Sequence, residues 1–380
     1  MKSEGAGDIV SALDERTRSL HPGDPADLEA LAASDRFGAD AFASLAARFG
    51  AAKAPGGWTL ERTPRWRPGW LHRDNEQPFF DLFESAFGYR IDPRLWAWKY
   101  RDTTVPGMGA WKDGRLIAFF GAMPRPVLLF GKPESCVQIC DVMVHPAERG
   151  VMTRSGALLM AAASYIERSV GYGRPHLFGF GFPTSKHLLL AQKLGLYEQV
   201  DTISELAWPA GASWGSRMLR VRSVHAKDAG AIDRLWKAMA QDFRGSVIGV
   251  RDAAFVRERF QQHPTVDYDC LLVRKGLTGT PLGIAVLRLV DAHLAELVDV
   301  IGPRRNFGSL VSAARAWAQE RGAARLRAWV TTSHASLLSD GAASVTGLDL
   351  AVPANVWTAG PSPDQLRGHW WLMAGDTDFR

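Results

Sequence analysis

Three cysteines are too few to staple a chain of 380 residues, and Cys136, Cys140 and Cys270 lack the Cys-x-x-Cys spacing of a redox or zinc pair. They read as small buried hydrophobes, and no metal is expected. The chain lacks any uninterrupted apolar run of about 18 residues, the least a membrane-spanning helix needs. Its opening, MKSEGAGDIV, lacks the apolar segment of a secretion signal. A cytoplasmic, reducing setting without a membrane partner is the expectation. An excess of one charge is also missing. Against 45 Lys and Arg stand 40 Asp and Glu, and no basic run, zinc-finger spacing or RNP-like spacing marks a nucleic-acid surface. The net charge of +5 suits a small polyphosphate-bearing ligand but demands none.

What is present is apolar surface: 46% of positions are hydrophobic and 22% charged, enough for two globular domains at this length. Residues 1–57 read as a weakly helical or flexible extension. From Trp58 a short strand (Thr59 to Thr63) leads to helical spacing at Phe79, Leu82, Phe83 and Phe87, stopped by Gly88. Asp92-Pro93 opens a second helix carrying Leu95, Trp96, Trp98 and Tyr100, since Asp caps and Pro is tolerated in the first turn. Strands are expected over 108–112, 116–123, 127–130 and 137–144. A helix over 157–170, a strand over 176–182, a helix over 185–194 closed by Gly195 and a strand over 199–208 follow.

This order resembles the GNAT N-acetyltransferase superfamily over residues 58–210. Two segments carry the resemblance. Asp141-Val142-Met143-Val144-His145-Pro146-Ala147-Glu148-Arg149-Gly150 is similar to the family's strand followed by Pro-x-x-Arg-Gly, and Lys193-Leu194-Gly195-Leu196 to its Lys-Leu-Gly-Phe ending. The events recur with less of the chemistry over residues 217–380: Asp299-Val300-Ile301-Gly302-Pro303 echoes the first strand, then a helix (Leu310, Val311, Ala314, Trp317, Ala318) and a strand over 326–332 follow. The fold class expected is α/β with mixed sheets, as two tandem GNAT-like domains of which the second is degenerate.

The resemblance implies an acyl-CoA co-substrate, such as acetyl-CoA, and a small-molecule amine as acceptor. It places the pantetheine on the backbone of Val142 and Val144. The pyrophosphate falls at the start of the next helix, where unpaired N–H groups and the helix dipole favour an anion; that assigns Arg149, Gly150, Arg154, Ser155 and Gly156. The loop departs from the family's Gln/Arg-x-x-Gly-x-Gly/Ala. Here it reads Arg149-Gly150-Val151-Met152-Thr153-Arg154-Ser155-Gly156-Ala157, with extra residues between the glycines.

For the proton of the amine, Asp141 lies on the candidate cofactor strand among apolar neighbours, a setting that suits a carboxylate acting as base. His145 at the strand end and His187 in the first turn of the last helix are alternatives, histidine being the residue type that titrates near neutrality. The family often has a Tyr general acid four residues before the Gly of Lys-Leu-Gly, but that position is Ala191, and Tyr197 lies two residues past Gly195. Asp376-Thr377-Asp378 has the form of a glycosyl-transfer metal motif without that fold around it. With Phe180-Gly181-Phe182-Pro183, the ending looks like bacterial acetyltransferases of surface-polysaccharide synthesis, which makes an amino sugar the expected acceptor. The alternative is a catalytically silent GNAT-like protein that binds acyl-CoA or a partner.

Overall fold

The computed structural model describes residues 51–54, 57–60, 65–149, 156–212 and 214–378. Its packing divides the chain into two units that interleave in sequence. The first takes residues up to 124, then 137–177 and 357–360; the second takes 125–136, 178–356 and the residues from 361 onward.

In the first unit, β1 (Ala51–Ala54) and β2 (Gly57–Leu60) form an antiparallel hairpin, which joins the end of what the sequence reads as the extension to the start of the GNAT-like segment. Then come β3 (Arg67–Leu71), α1 (Gln77–Phe87) and α2 (Pro93–Lys99), followed by β4 (Gly107–Lys112), β5 (Arg115–Leu129), β6 (Lys132–Val144) and α3 (Ala157–Ser169). β3, β4 and β5 are antiparallel neighbours. The helix signals hold: Gly88 ends α1 at φ 79°, and the Asp92 side chain accepts from the Arg94 N–H to cap α2. Asp113 and Gly114, with φ of 49° and 77°, turn β4 into β5.

Alternation across this sheet sorts its residues into two layers. Phe119, Leu71, Cys140 and Met143 join Phe79, Phe83, Trp96 and Tyr100 of α1 and α2 in one apolar core. Phe120 and Trp70 instead meet Tyr165 of α3. The expected break between strands 116–123 and 127–130 does not occur, because β5 runs through Pro124 and Pro126. Proline removes one donor without preventing an extended backbone.

The second unit adds β7 (Phe178–Phe180), α4 (Ser185–Lys193), β8 (Tyr197–Pro209), β9 (Leu219–Ser223), α5 (Ala229–Asp242), β10 (Val247–Gly249) and α6 (Ala253–Val256). After these come β11 (Asp269–Lys275), β12 (Pro281–Leu289), β13 (Leu294–Ile301), α7 (Phe307–Glu320), β14 (Arg325–Thr331), β15 (Ser344–Asn355) and β16 (Trp370–Trp371). Its sheet runs β15-β8-β14-β13-β12-β11-β9. β8 therefore lies between β14 and β15 and does not close the contiguous domain 58–210. Periodicity identifies a strand, while its partner is decided by long-range packing. In a separate pairing, Val127–Leu129 lie antiparallel to β10, which runs parallel to β16.

Candidate functional site

Asp141 lies in the interior of β6 with φ 47°. That left-handed conformation costs a non-glycine residue about 1–2 kcal/mol, so something must hold it. Lys99 Nζ stands 2.6 Å from Asp141 Oδ1, and the Tyr100 hydroxyl donates to Oδ2 at 2.7 Å. The Lys99 and Asp141 side chains are 3% and 8% exposed. Burial, with the Asp141 carboxylate alongside, raises the Tyr100 phenol well above its ordinary value, so it stays a donor. Both carboxylate oxygens that the sequence offers as a proton acceptor are thus engaged, and freeing one breaks a buried ion pair at a cost of about 3–5 kcal/mol.

Beyond Asp141 the strand carries one exposed side chain, Val142, before the buried Met143. Val142 is 41% exposed, and the His145 N–H returns to β5 by donating to the Ile117 carbonyl at 2.8 Å. Pro146–Glu148 form a 3₁₀ turn capped by His145, whose Nδ1 accepts from the Ala147 N–H at 3.2 Å. Two side chains anchor this turn. Glu148 reaches Arg65 at 2.6 Å and Lys112 at 3.3 Å, and although burial opposes it, Lys112 and Arg65 hold its carboxyl below the ordinary value. Arg149 donates through Nε to the Val144 carbonyl (3.1 Å) and through Nη2 to the Ala86 carbonyl at the end of α1 (2.8 Å).

Arg149, expected on phosphate, here joins β6 to α1, and the Val144 carbonyl, expected on pantetheine, is its acceptor. Gly150, Arg154 and Ser155 lie outside the described residues. Gly156 is the N-cap of α3 and brings no side-chain cap to that helix. Asp141, Val142, Val144, His145, Arg149 and Gly156 all belong to the first unit. His187 does not; it sits in α4 of the second, its Nδ1 2.9 Å from Thr184 Oγ1. Lys99 and Tyr100 were not identifiable as site residues, because a Lys after Trp-Ala-Trp reads as a surface cation and Tyr100 as one more core aromatic.

The second unit repeats the layout with different fillings. Asp299 on β13 is fully buried and paired with Arg251, which also binds Asp376. β13 pairs with β14 only from Leu294 to Leu297, although both strands continue. Where they part, the chain around Met373 enters: Met373 bridges to Val330, and the Thr331 N–H donates to the Leu372 carbonyl at 3.1 Å. Arg259 holds this segment through the Gly375 and Thr377 carbonyls, at 2.9 and 2.6 Å. Residues 370–377 are buried, so Asp376-Thr377-Asp378 belongs to a core segment. Among the described residues no group of three or more His, Cys, Asp or Glu side chains is gathered for a metal, and no helix is long and apolar enough to cross a membrane.

The helix starts differ as well. In the first unit residues 149–156 separate the 3₁₀ turn from α3. In the second, a 3₁₀ turn at Arg304–Asn306 runs directly into α7, and the Phe307 N–H is taken by the Arg304 carbonyl.

Residues 71–173 match the family model for the acetyltransferase (GNAT) domain. No curated protein matches the chain in sequence. Solved structures share the fold at low identity. An Enterococcus faecalis protein described as a probable N-acyltransferase is 15% identical with a TM-score of 0.57, over 80% of this chain and 74% of that one. A GCN5-related N-acetyltransferase from Anabaena variabilis gives 15% and 0.57 over 77% and 73%. Saccharomyces cerevisiae N-myristoyltransferase with bound myristoyl-CoA gives 13% and 0.52 over 85% and 86%. Residues 71–173 are therefore similar to a GNAT acetyltransferase domain, in a chain whose mixed α/β fold is that of two tandem GNAT-like domains.

Proposed function

We propose that the chain is an N-acyltransferase that takes an acyl group, acetyl in the first instance, from acyl-CoA to the amine of a small molecule. The observation that carries this reading is the contrast at the two helix starts. Residues 149–156 separate the 3₁₀ turn from α3, whose N-cap Gly156 brings no side-chain oxygen to the first-turn N–H groups, whereas in the second unit the turn runs directly into α7, the Phe307 N–H is bonded to the Arg304 carbonyl, and the strand gap is filled. One acyl-CoA per chain is expected, with Val142 and Val144 along the pantetheine and Arg154, Ser155 and Gly156 toward the pyrophosphate.

His145 follows β6; its Nδ1 accepts from the Ala147 N–H in the turn cap, so the neutral ring bears its hydrogen on Nε2 and must give up that cap to take a proton at Nδ1. It is the group assigned to take the amine proton. An amino sugar, as in surface-polysaccharide synthesis, is the acceptor class the sequence resemblance favours. A second reading, acyl-CoA binding without turnover, draws support from the engagement of Asp141 by Lys99 and Tyr100. Calorimetric titration with acetyl-CoA, followed by thiol release in the presence of amino sugars and other amines, separates the two. Binding with stoichiometry near one and amine-dependent thiol release supports transfer, binding without release supports the second reading, and no binding rejects both.

A further inference from the structure

Three elements meet at the left-handed residue of β6. The end of α2 supplies Lys99 and Tyr100, β6 supplies Asp141, and β5 supplies the space. Gly121 of β5 has no side chain, and a Cβ there would stand 2.6 Å from the Tyr100 hydroxyl and 2.6 Å from the Cys140 carbonyl. The same hydroxyl lies 3.4 Å from Cys140 Sγ and 2.7 Å from Asp141 Oδ2. A buried lysine is expensive unless paired, and the pair it makes is with the strained residue itself.

We infer that Lys99 and Tyr100 are positioning residues: by holding residue 141 in its left-handed conformation they set the path of Val142 to His145, along which the acyl-CoA reading, on which this inference rests, places the thioester arm. Asp141 then contributes its backbone conformation and an anchor for it, and takes no proton from the substrate. The energetic logic is that an ion pair shielded from water keeps one backbone dihedral out of its preferred region.

The test compares two double variants, Lys99→Met/Asp141→Gly and Lys99→Met/Asp141→Ala, in the full chain. Both remove the ion pair, so neither leaves a buried charge. They differ in that glycine adopts positive φ freely and alanine does not. The glycine variant should bind acetyl-CoA within about threefold of wild type by calorimetry, and the alanine variant at least about tenfold more weakly; the glycine variant should also melt at the higher temperature. Equal Kd and equal melting for the two would overturn the inference, and so would loss of turnover in the glycine variant at saturating acetyl-CoA, since that would return Asp141 to the chemistry. A wild-type chain that binds no acetyl-CoA overturns the acyl-CoA reading instead, while the melting order still reports on the clamp. If neither double variant folds, Tyr100→Phe serves, with a raised KM for acetyl-CoA and unchanged KM for the acceptor expected; no change in either overturns the inference.

Discussion

The two units place an Asp-Val pair on a central strand and give the Asp a buried cation, yet they put the device to opposite ends. In the first unit the carboxylate of Asp141 is held while its backbone is left-handed and Val142 next to it is exposed. In the second, Asp299 has no such dihedral. Its partner Arg251 is shared with Asp376, and the gap between β13 and β14 is filled by the segment around Met373. The same ion-pair chemistry therefore holds a left-handed strand residue in one unit and the buried segment around Met373 in the other. A buried pair is a means of fixing geometry, and the geometry it fixes depends on what else the strand must accommodate.

The seal should be the costlier one to break. Arg251→Met leaves Asp299 and Asp376 facing each other inside the second unit, and a loss of about 3–5 kcal/mol in denaturant unfolding is expected. A loss under about 1 kcal/mol would show that the segment around Met373 is held by its apolar residues alone, and the comparison would lose its second half.

The helix start at Gly156 comes next. Gly156→Val should weaken acetyl-CoA by about 100-fold, near 3 kcal/mol, by placing a side chain at the pyrophosphate. Gly308→Val should leave the affinity unchanged, because a Cβ there meets nothing within 4 Å and no ligand is assigned to it. Equal effects would mean the two helix starts are not functionally distinct. At the strand end, His145→Asn keeps a side-chain acceptor for the Ala147 N–H but removes the imidazole. Turnover should fall by about 100-fold with acetyl-CoA affinity intact, and turnover within a few-fold of wild type would move the base elsewhere.

The smallest effect concerns acid. Burial pushes His176 in the first unit and His263 in the second down to about 4. Each stays neutral in the fold while the unfolded chain takes up a proton below about 6.5, so stability is full above that pH and is lost as pH falls toward 4. His176→Gln should recover about 2 kcal/mol of the loss between pH 7 and pH 4.5. His263→Gln should recover less, because that ring is more exposed and better screened. Melting temperatures across this range decide it, and a steeper acid slope in either variant would reverse the assignment.

Much of the architecture could be read from local signals. Gly88, Asp92, Gly195 and Gly322 mark helix ends where the structure has them, because caps are decided by one residue's dihedral or one side-chain oxygen. The strand carrying Asp141 through His145 was also legible, as was its echo at Asp299. Less visible were the long β5 through two prolines, the strand Ser344–Asn355, whose first half is largely exposed and therefore shows little alternation, and the burial of residues 370–377. At the candidate site, the residues along β6 could be named from the sequence, but the donors that occupy Asp141 come from a helix 41 and 42 positions earlier.

The sequence by itself determined the elements, their order and the repetition of one strand-turn-helix pattern, because these depend on periodicity and on single-residue conformational preferences. Only the tertiary structure decided which unit β8 would join, which strand gap would be filled, and that Asp141 would answer to Lys99 and Tyr100. Each of these is a contact between residues far apart in the chain, settled by the cost of leaving a buried charge or backbone group unpaired, and no local pattern encodes where the partner will be.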